Sequence, residues 1–179
     1  MPSGAVLVAD AAGNTIVKVS TTGRMSTFAT FPDLKSGEDY VPTSLARDDD
    51  GNIYVGGLAS ETPGKGKVTM LSRSGERLDR WGGFTTVTGV AVSDDGTLYV
   101  SELFANADFS DPNFDPSQVG QVTTVAPNGN RTSEVVPLPA GIAVDDEKGW
   151  LFVAAWSVAP SDGAFGNPDW SGQVWRKKL

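Results

Sequence analysis

One phrase recurs along this chain, and it constrains the fold more than any other feature. Its first full copy is Pro42-Thr43-Ser44-Leu45-Ala46-Arg47-Asp48-Asp49-Asp50-Gly51-Asn52-Ile53-Tyr54-Val55. The second is Val87-Thr88-Gly89-Val90-Ala91-Val92-Ser93-Asp94-Asp95-Gly96-Thr97-Leu98-Tyr99-Val100. The third runs from Pro139 to Val153, with one extra residue in its turn. A partial copy, Pro2-Ser3-Gly4-Ala5-Val6-Leu7-Val8, opens the chain. The closing valines, Val8, Val55, Val100 and Val153, are spaced by 47, 45 and 53 residues. A repeat of roughly 40 to 50 residues is the length of a unit of four strands.

Each copy reads as a hairpin. Its Asp-Gly or Asp-Asp-Gly element supplies the positive φ that a tight connection needs. The flanking runs are β-branched and aromatic, as strands prefer. A second hairpin follows in each unit: Thr15 to Ser20 with Met25 to Phe31, Lys67 to Ser72 with Arg77 to Trp81, and Gln121 to Ala126 with Arg131 to Val136. Thr22-Gly23, Ser74-Gly75 and Asn128-Gly129 turn these pairs, and Gln173 to Arg176 is a lone last strand. With strands lettered a to d, the chain reads b-c-d, a-b-c-d, a-b-c-d, a-b-c. No segment of 11 or more residues has a clean helical period. The pattern predicts an all-β fold, a β-propeller of four-stranded antiparallel blades forming one domain. The blades fall near residues 1–38, 39–84, 85–137 and 138–179, the first and last incomplete. A β-sandwich is the competing architecture, but sandwiches rarely repeat a whole four-strand phrase.

The first unit lacks its a strand and the last its d strand, and Met1 falls inside a hairpin turn. This predicts the C-terminal part of a larger ring, truncated upstream, whose missing d strand comes from the original N-terminus. Open sheet edges in such a piece favour self-association.

Composition narrows the chemistry. Among 179 residues there are 22 acidic and 14 basic ones, a net charge of −8. Such a surface repels phosphate backbones, so nucleic acid is not an expected partner. There is no cysteine and no histidine. Thiolate and imidazole chemistry are thereby excluded, and any metal must be a hard cation held by oxygens. The N-terminus lacks the basic and apolar regions of a signal peptide. No stretch approaches the roughly 18 to 20 apolar residues of a membrane span.

Several phrases together resemble the ScyD/ScyE family of β-propeller proteins. They are Val41 to Ala46 with Asp50 to Gly56, Phe84 to Ala91 with Leu98 to Glu102, Val125 to Thr132, and Gly172 to Arg176. Individually these are generic to NHL-like and lactonase-like propellers. The resemblance implies a six-bladed or similar ring, commonly exported, with no established catalytic residues. The chain departs from it in being about half the expected length and in lacking the export signal.

Lactonase-like propellers hold calcium in their channel with Glu, Asp and Asn. Two residues after the closing valines stand Asp10, Gly57, Glu102 and Ala155. Asp10 and Glu102 are therefore the candidate calcium ligands, and the alternative is that they bond turns or sit solvated at blade ends. The longest insertion, Phe104 to Gln118, carries Asp108, Asp111 and Asp115 with Phe109 and Phe114. Its three aspartates are a further candidate for calcium, though their spacing is not that of an EF-hand loop. A second insertion, Trp156 to Ser171, carries Phe165 and Trp170. Both insertions follow strand b and emerge at one face. Phe109, Phe114, Trp156 and Trp170 are candidate contacts for a small molecule or protein partner; the first insertion is otherwise a plain surface loop, and Trp156, Phe165 and Trp170 otherwise cover the apolar ends of the blades. Gly64-Lys65-Gly66-Lys67 lacks the spacing of a phosphate loop. The acidic clusters at Asp48 to Asp50 and Asp145 to Glu147 are explained by turn chemistry. The function expected is non-enzymatic binding or scaffolding, and the alternative is a calcium-dependent hydrolase of the lactonase or esterase type in the full-length protein.

Overall fold

The computed structural model describes residues 4–179, and Met1, Pro2 and Ser3, with the turn expected there, lie outside them. Among the described residues the backbone forms four antiparallel sheets. The first contains β1 (Val6–Asp10), β2 (Thr15–Val19) and β3 (Met25–Thr30). The second contains β4 (Pro42–Arg47), β5 (Ile53–Gly57), β6 (Gly66–Leu71) and β7 (Arg77–Phe84). The third contains β8 (Val87–Val92), β9 (Leu98–Glu102), β10 (Gln121–Val125) and β11 (Arg131–Val135). The last contains β12 (Ile142–Asp145), β13 (Trp150–Ala155) and β14 (Gln173–Lys178). Strands pair in chain order within every sheet, giving the expected sequence of three, four, four and three. Among the described residues no helix is long and apolar enough to cross a membrane.

The turns form where glycine permits them. Gly51, Gly96 and Gly149 have φ of 82°, 85° and 64°. Gly23, Gly75 and Gly129 turn the second hairpins at 81°, 91° and 86°. Strand β7 runs past Trp81 to Phe84, because Phe84 pairs with Gly66 across a register shift. Gly83, with φ of 84°, absorbs the irregularity. The residue before each full copy of the phrase is also left-handed: Val41 at 51°, Thr86 at 52° and Leu138 at 45°. Such φ values are uncommon for residues other than glycine, most of all for the β-branched Val41 and Thr86, and store strain.

The chain divides into two compact units between Val87 and Thr88. In the first, Ile16, Phe31, Tyr40, Ile53, Val55 and Leu71 form the core. Tyr40 stacks on Phe31 with ring centres 4.2 Å apart. Its hydroxyl donates to the Val55 carbonyl at 2.8 Å and lies 3.0 Å from Thr69 Oγ1. Burial pushes that phenol well above its ordinary value. In the second unit, Tyr99, Val122, Leu151, Val153 and Trp156 are core members. The closing valines Val55, Val100 and Val153 are buried. Val8 is 45% exposed, because Leu7 and Ala9 are the β1 residues that pack inward.

A hydroxyl at the second position of the phrase links distant strands. Thr88 Oγ1 donates to the Pro139 carbonyl at 2.9 Å within the second unit. Thr43 Oγ1 donates to the Val87 carbonyl at 2.8 Å within the first. The third copy has Ala140 here, whose carbonyl instead accepts from Ser101 Oγ at 2.5 Å.

Candidate binding site

The insertion between β9 and β10 is ordered by its own side chains. Asp108 Oδ1 accepts from the Ser110 amide at 3.0 Å and hydroxyl at 2.6 Å. Asp111 Oδ1 accepts from the Asn113 amide at 2.8 Å. Asp115 Oδ1 accepts from the Ser117 amide at 2.9 Å and hydroxyl at 2.7 Å. Each is a local turn closed by a carboxylate on an amide two residues on. The serine hydroxyls and amides hold the Asp108 and Asp115 carboxyls below the usual aspartate value. The three aspartates therefore shape the loop.

The loop carries a cluster of three rings. Phe109 meets Phe104 edge-on with centres 5.7 Å apart. It meets Phe114 at 5.3 Å with a 34° tilt. Phe104 and Phe114 are half-buried, whereas Phe109 is 68% exposed. The cluster thus presents one aromatic face to solvent on a preordered support.

The second insertion is built differently. Trp156 is 4% exposed and belongs to the core. Trp170 is half-buried and stacks on it at 5.2 Å with a 10° interplanar angle. Burial of Trp156 fits the blade-covering alternative for that ring, whereas Trp170 keeps part of its surface exposed. Leu138 joins the ends of both insertions through its backbone. Its amide donates to the Val119 carbonyl at 2.8 Å, and its carbonyl accepts from the Ser157 amide at 3.0 Å.

The two candidate metal ligands stand in different units. Asp10 ends β1 in the first, and its Oδ1 accepts from the Gly13 amide at 3.0 Å. Glu102 ends β9 in the second and is 2% exposed. Its Oε1 accepts from Gln121 Nε2 at 2.9 Å and from Thr123 Oγ1 at 2.5 Å. Thr123 Oγ1 also lies 2.9 Å from Ser133 Oγ, extending the network across the sheet. Gln121 and Thr123 were not foreseen as Glu102 partners, although the pairing of β9 with β10 places Gln121 opposite Glu102. Among the described residues no three or more of His, Cys, Asp and Glu cluster as a metal site.

Comparison with known proteins bears on the fold. A family model described as "Beta-propeller repeat" matches residues 36–65. A comparison with characterised proteins found no match. Among solved structures, a streptogramin B lyase is 14% identical over 100% of this chain and 52% of its own, with a TM-score of 0.60. Virginiamycin B lyase from Staphylococcus aureus is 13% identical over 98% of this chain and 52% of its own, with a TM-score of 0.58. A protein of unknown function from Bacteroides caccae is 20% identical over 86% of this chain and 50% of its own, with a TM-score of 0.57. The chain thus spans about half the length of these structures. At such identities the likeness speaks to architecture alone. Four consecutive antiparallel sheets, a matching repeat model and these structures together make this an all-β protein of β-propeller repeats.

Proposed function

We propose that this chain is a non-enzymatic binding propeller, and that the β9–β10 loop takes up an apolar, basic protein segment. The observation that carries this reading is Phe109, which is 68% exposed at the centre of a three-ring cluster. An exposed aromatic is a natural anchor when its surroundings are already ordered, because less entropy is lost on binding. The three capping carboxylates order this loop before any partner arrives. They also set the partner's charge. Residues 104–118 contain three aspartates and no lysine or arginine. A partner segment with apolar residues flanked by Lys or Arg complements that field. Glu102 supports the same reading, since its carboxylate is buried and engaged with Gln121 and Thr123.

A displayed peptide library panned on the full chain and counter-selected on the F109S variant tests the proposal. Enrichment of apolar, basic peptides that bind the unmodified chain and not the variant is the supporting result. Peptides that do not discriminate between the two, or calcium-dependent ester or lactone turnover abolished by E102Q, would overturn it.

A further inference from the structure

Within the first unit a cavity of about 720 Å³ opens beside β6 and β7. Its lining includes five cations, Lys35, Lys65, Lys67, Arg77 and Arg80, and one acid, Asp33. That balance is the reverse of the chain's own, which is −8 overall. Strand register explains how the cations come together. Lys67, Thr69 and Leu71 alternate along β6 and share one face. Across the ladder Thr69 pairs with Arg80 and Leu71 with Arg77. Both arginines therefore face the side on which Lys67 stands. Lys65 enters just before β6, and Lys35 comes from the segment after β3.

These cations are not neutralised by ion pairs. Among the described residues the salt bridges are Lys148–Asp145 and Lys177–Glu134, and neither includes a cavity residue. Besides Asp33 in the lining, Glu38 acts on Lys65 and Lys67 through space. Even so, burial, Arg80 and Lys65 hold the Lys67 ammonium below the usual lysine value. Like charges held together in a concave site raise the energy of the empty state and favour an anion that separates them.

We propose that this cavity is a binding site for a phosphorylated small molecule. The volume lies within the roughly 300 to 1,000 Å³ of small-molecule sites. Two guanidinium groups offer the planar paired donors that match phosphate oxygens, and the lysines add point charges. A pocket of this volume suits a compact phosphate compound.

Calorimetric titration of the full chain with pyrophosphate tests this, with inorganic phosphate and citrate as further probes. Saturable binding with one site is expected, tighter for pyrophosphate than for inorganic phosphate. K67Q and R80Q are each expected to weaken it roughly tenfold or more. The control K148Q, whose lysine pairs with Asp145, is expected to bind as the unmodified chain does. R77Q alters an exposed residue and keeps the test open should K67Q fail to fold. Absence of saturable heat, or equal affinity in the cavity variants and K148Q, would refute the site. Citrate binding as tightly as pyrophosphate would refute its phosphate preference.

Discussion

The Thr88 hydroxyl donates to the Pro139 carbonyl at 2.9 Å, across 51 residues of chain. The bond joins the first strand of the third sheet to the opening of the third phrase copy. Valine has nearly the shape of threonine but cannot donate. T88V is therefore expected to lower unfolding stability by about 1 to 2 kcal/mol, because the carbonyl loses its partner. T88S keeps the hydroxyl and is expected to retain more of that stability. Urea unfolding of the three proteins measures the difference. Equal midpoints for T88V and the unmodified chain would show that water replaces the bond without penalty.

Two glycines with the same backbone sign separate conformational strain from collision. Gly129 has φ of 86°, and a Cβ there meets nothing within 4 Å. Gly120 has φ of 96°, and a Cβ there falls 2.3 Å from Pro139 Cδ and 2.8 Å from the Val136 carbonyl oxygen. G129A is expected to cost only the left-handed penalty of about 1 to 2 kcal/mol. G120A is expected to cost distinctly more, since proline ring and backbone must both move. Thermal or urea midpoints rank the two variants, and a G129A loss equal to that of G120A would contradict the argument.

The reach of sequence reasoning follows from this contrast. Hairpin turns were legible because Asp95-Gly96 or Asn128-Gly129 settles a conformation within a few residues. The order of strands was legible because the phrase repeats and neighbouring strands pair in sequence. The left-handed Val41, Thr86 and Leu138 were not, since their side chains disfavour that conformation and only packing imposes it. The roles of Phe109 and Trp156 were not separable either. Both are aromatic residues in polar insertions, yet one is 68% exposed and the other 4%. The cavity cations were hidden because Arg80 reaches Thr69 only through the irregular register of β6 and β7. The aspartate caps were present in the text as Asp108-Phe109-Ser110 and Asp115-Pro116-Ser117, but spacing alone does not show whether such a carboxylate closes a turn, meets a ligand or only sits at the surface.

Those caps give the β9–β10 loop a defined acid response. The Asp108 and Asp115 carboxyls lie below their ordinary value of 3.8 in the folded loop, chiefly through the hydroxyls and amides of Ser110 and Ser117. A depressed carboxyl stabilises order above its unfolded value and stops doing so as pH falls through its folded value. The loop is therefore expected to be fully ordered at neutral pH and to loosen as pH drops below 3.8. Amide resonances of Ser110 and Ser117 are expected to report this. In D115N the amide oxygen still accepts, so Ser117 is expected to keep its protection and lose its pH dependence. A Ser117 resonance that titrates identically in D115N would show that another group governs the loop.

Exposure divides the candidate contact residues into two kinds, and substitution distinguishes them. Trp156 is buried in the second core and stacks on Trp170 at 5.2 Å. W156A removes a large buried ring and is expected to cost about 3 to 5 kcal/mol. Phe109 is 68% exposed, beside Phe104 edge-on and Phe114 at a 34° tilt. F109A is expected to change stability by about 0.5 kcal/mol or less. It is nevertheless expected to abolish retention of apolar, basic peptides of the kind proposed to bind the loop. Urea midpoints and peptide binding measured on the same preparations provide both readouts. A large stability loss in F109A would make the ring cluster a structural plug, and the binding role of the loop would then fall.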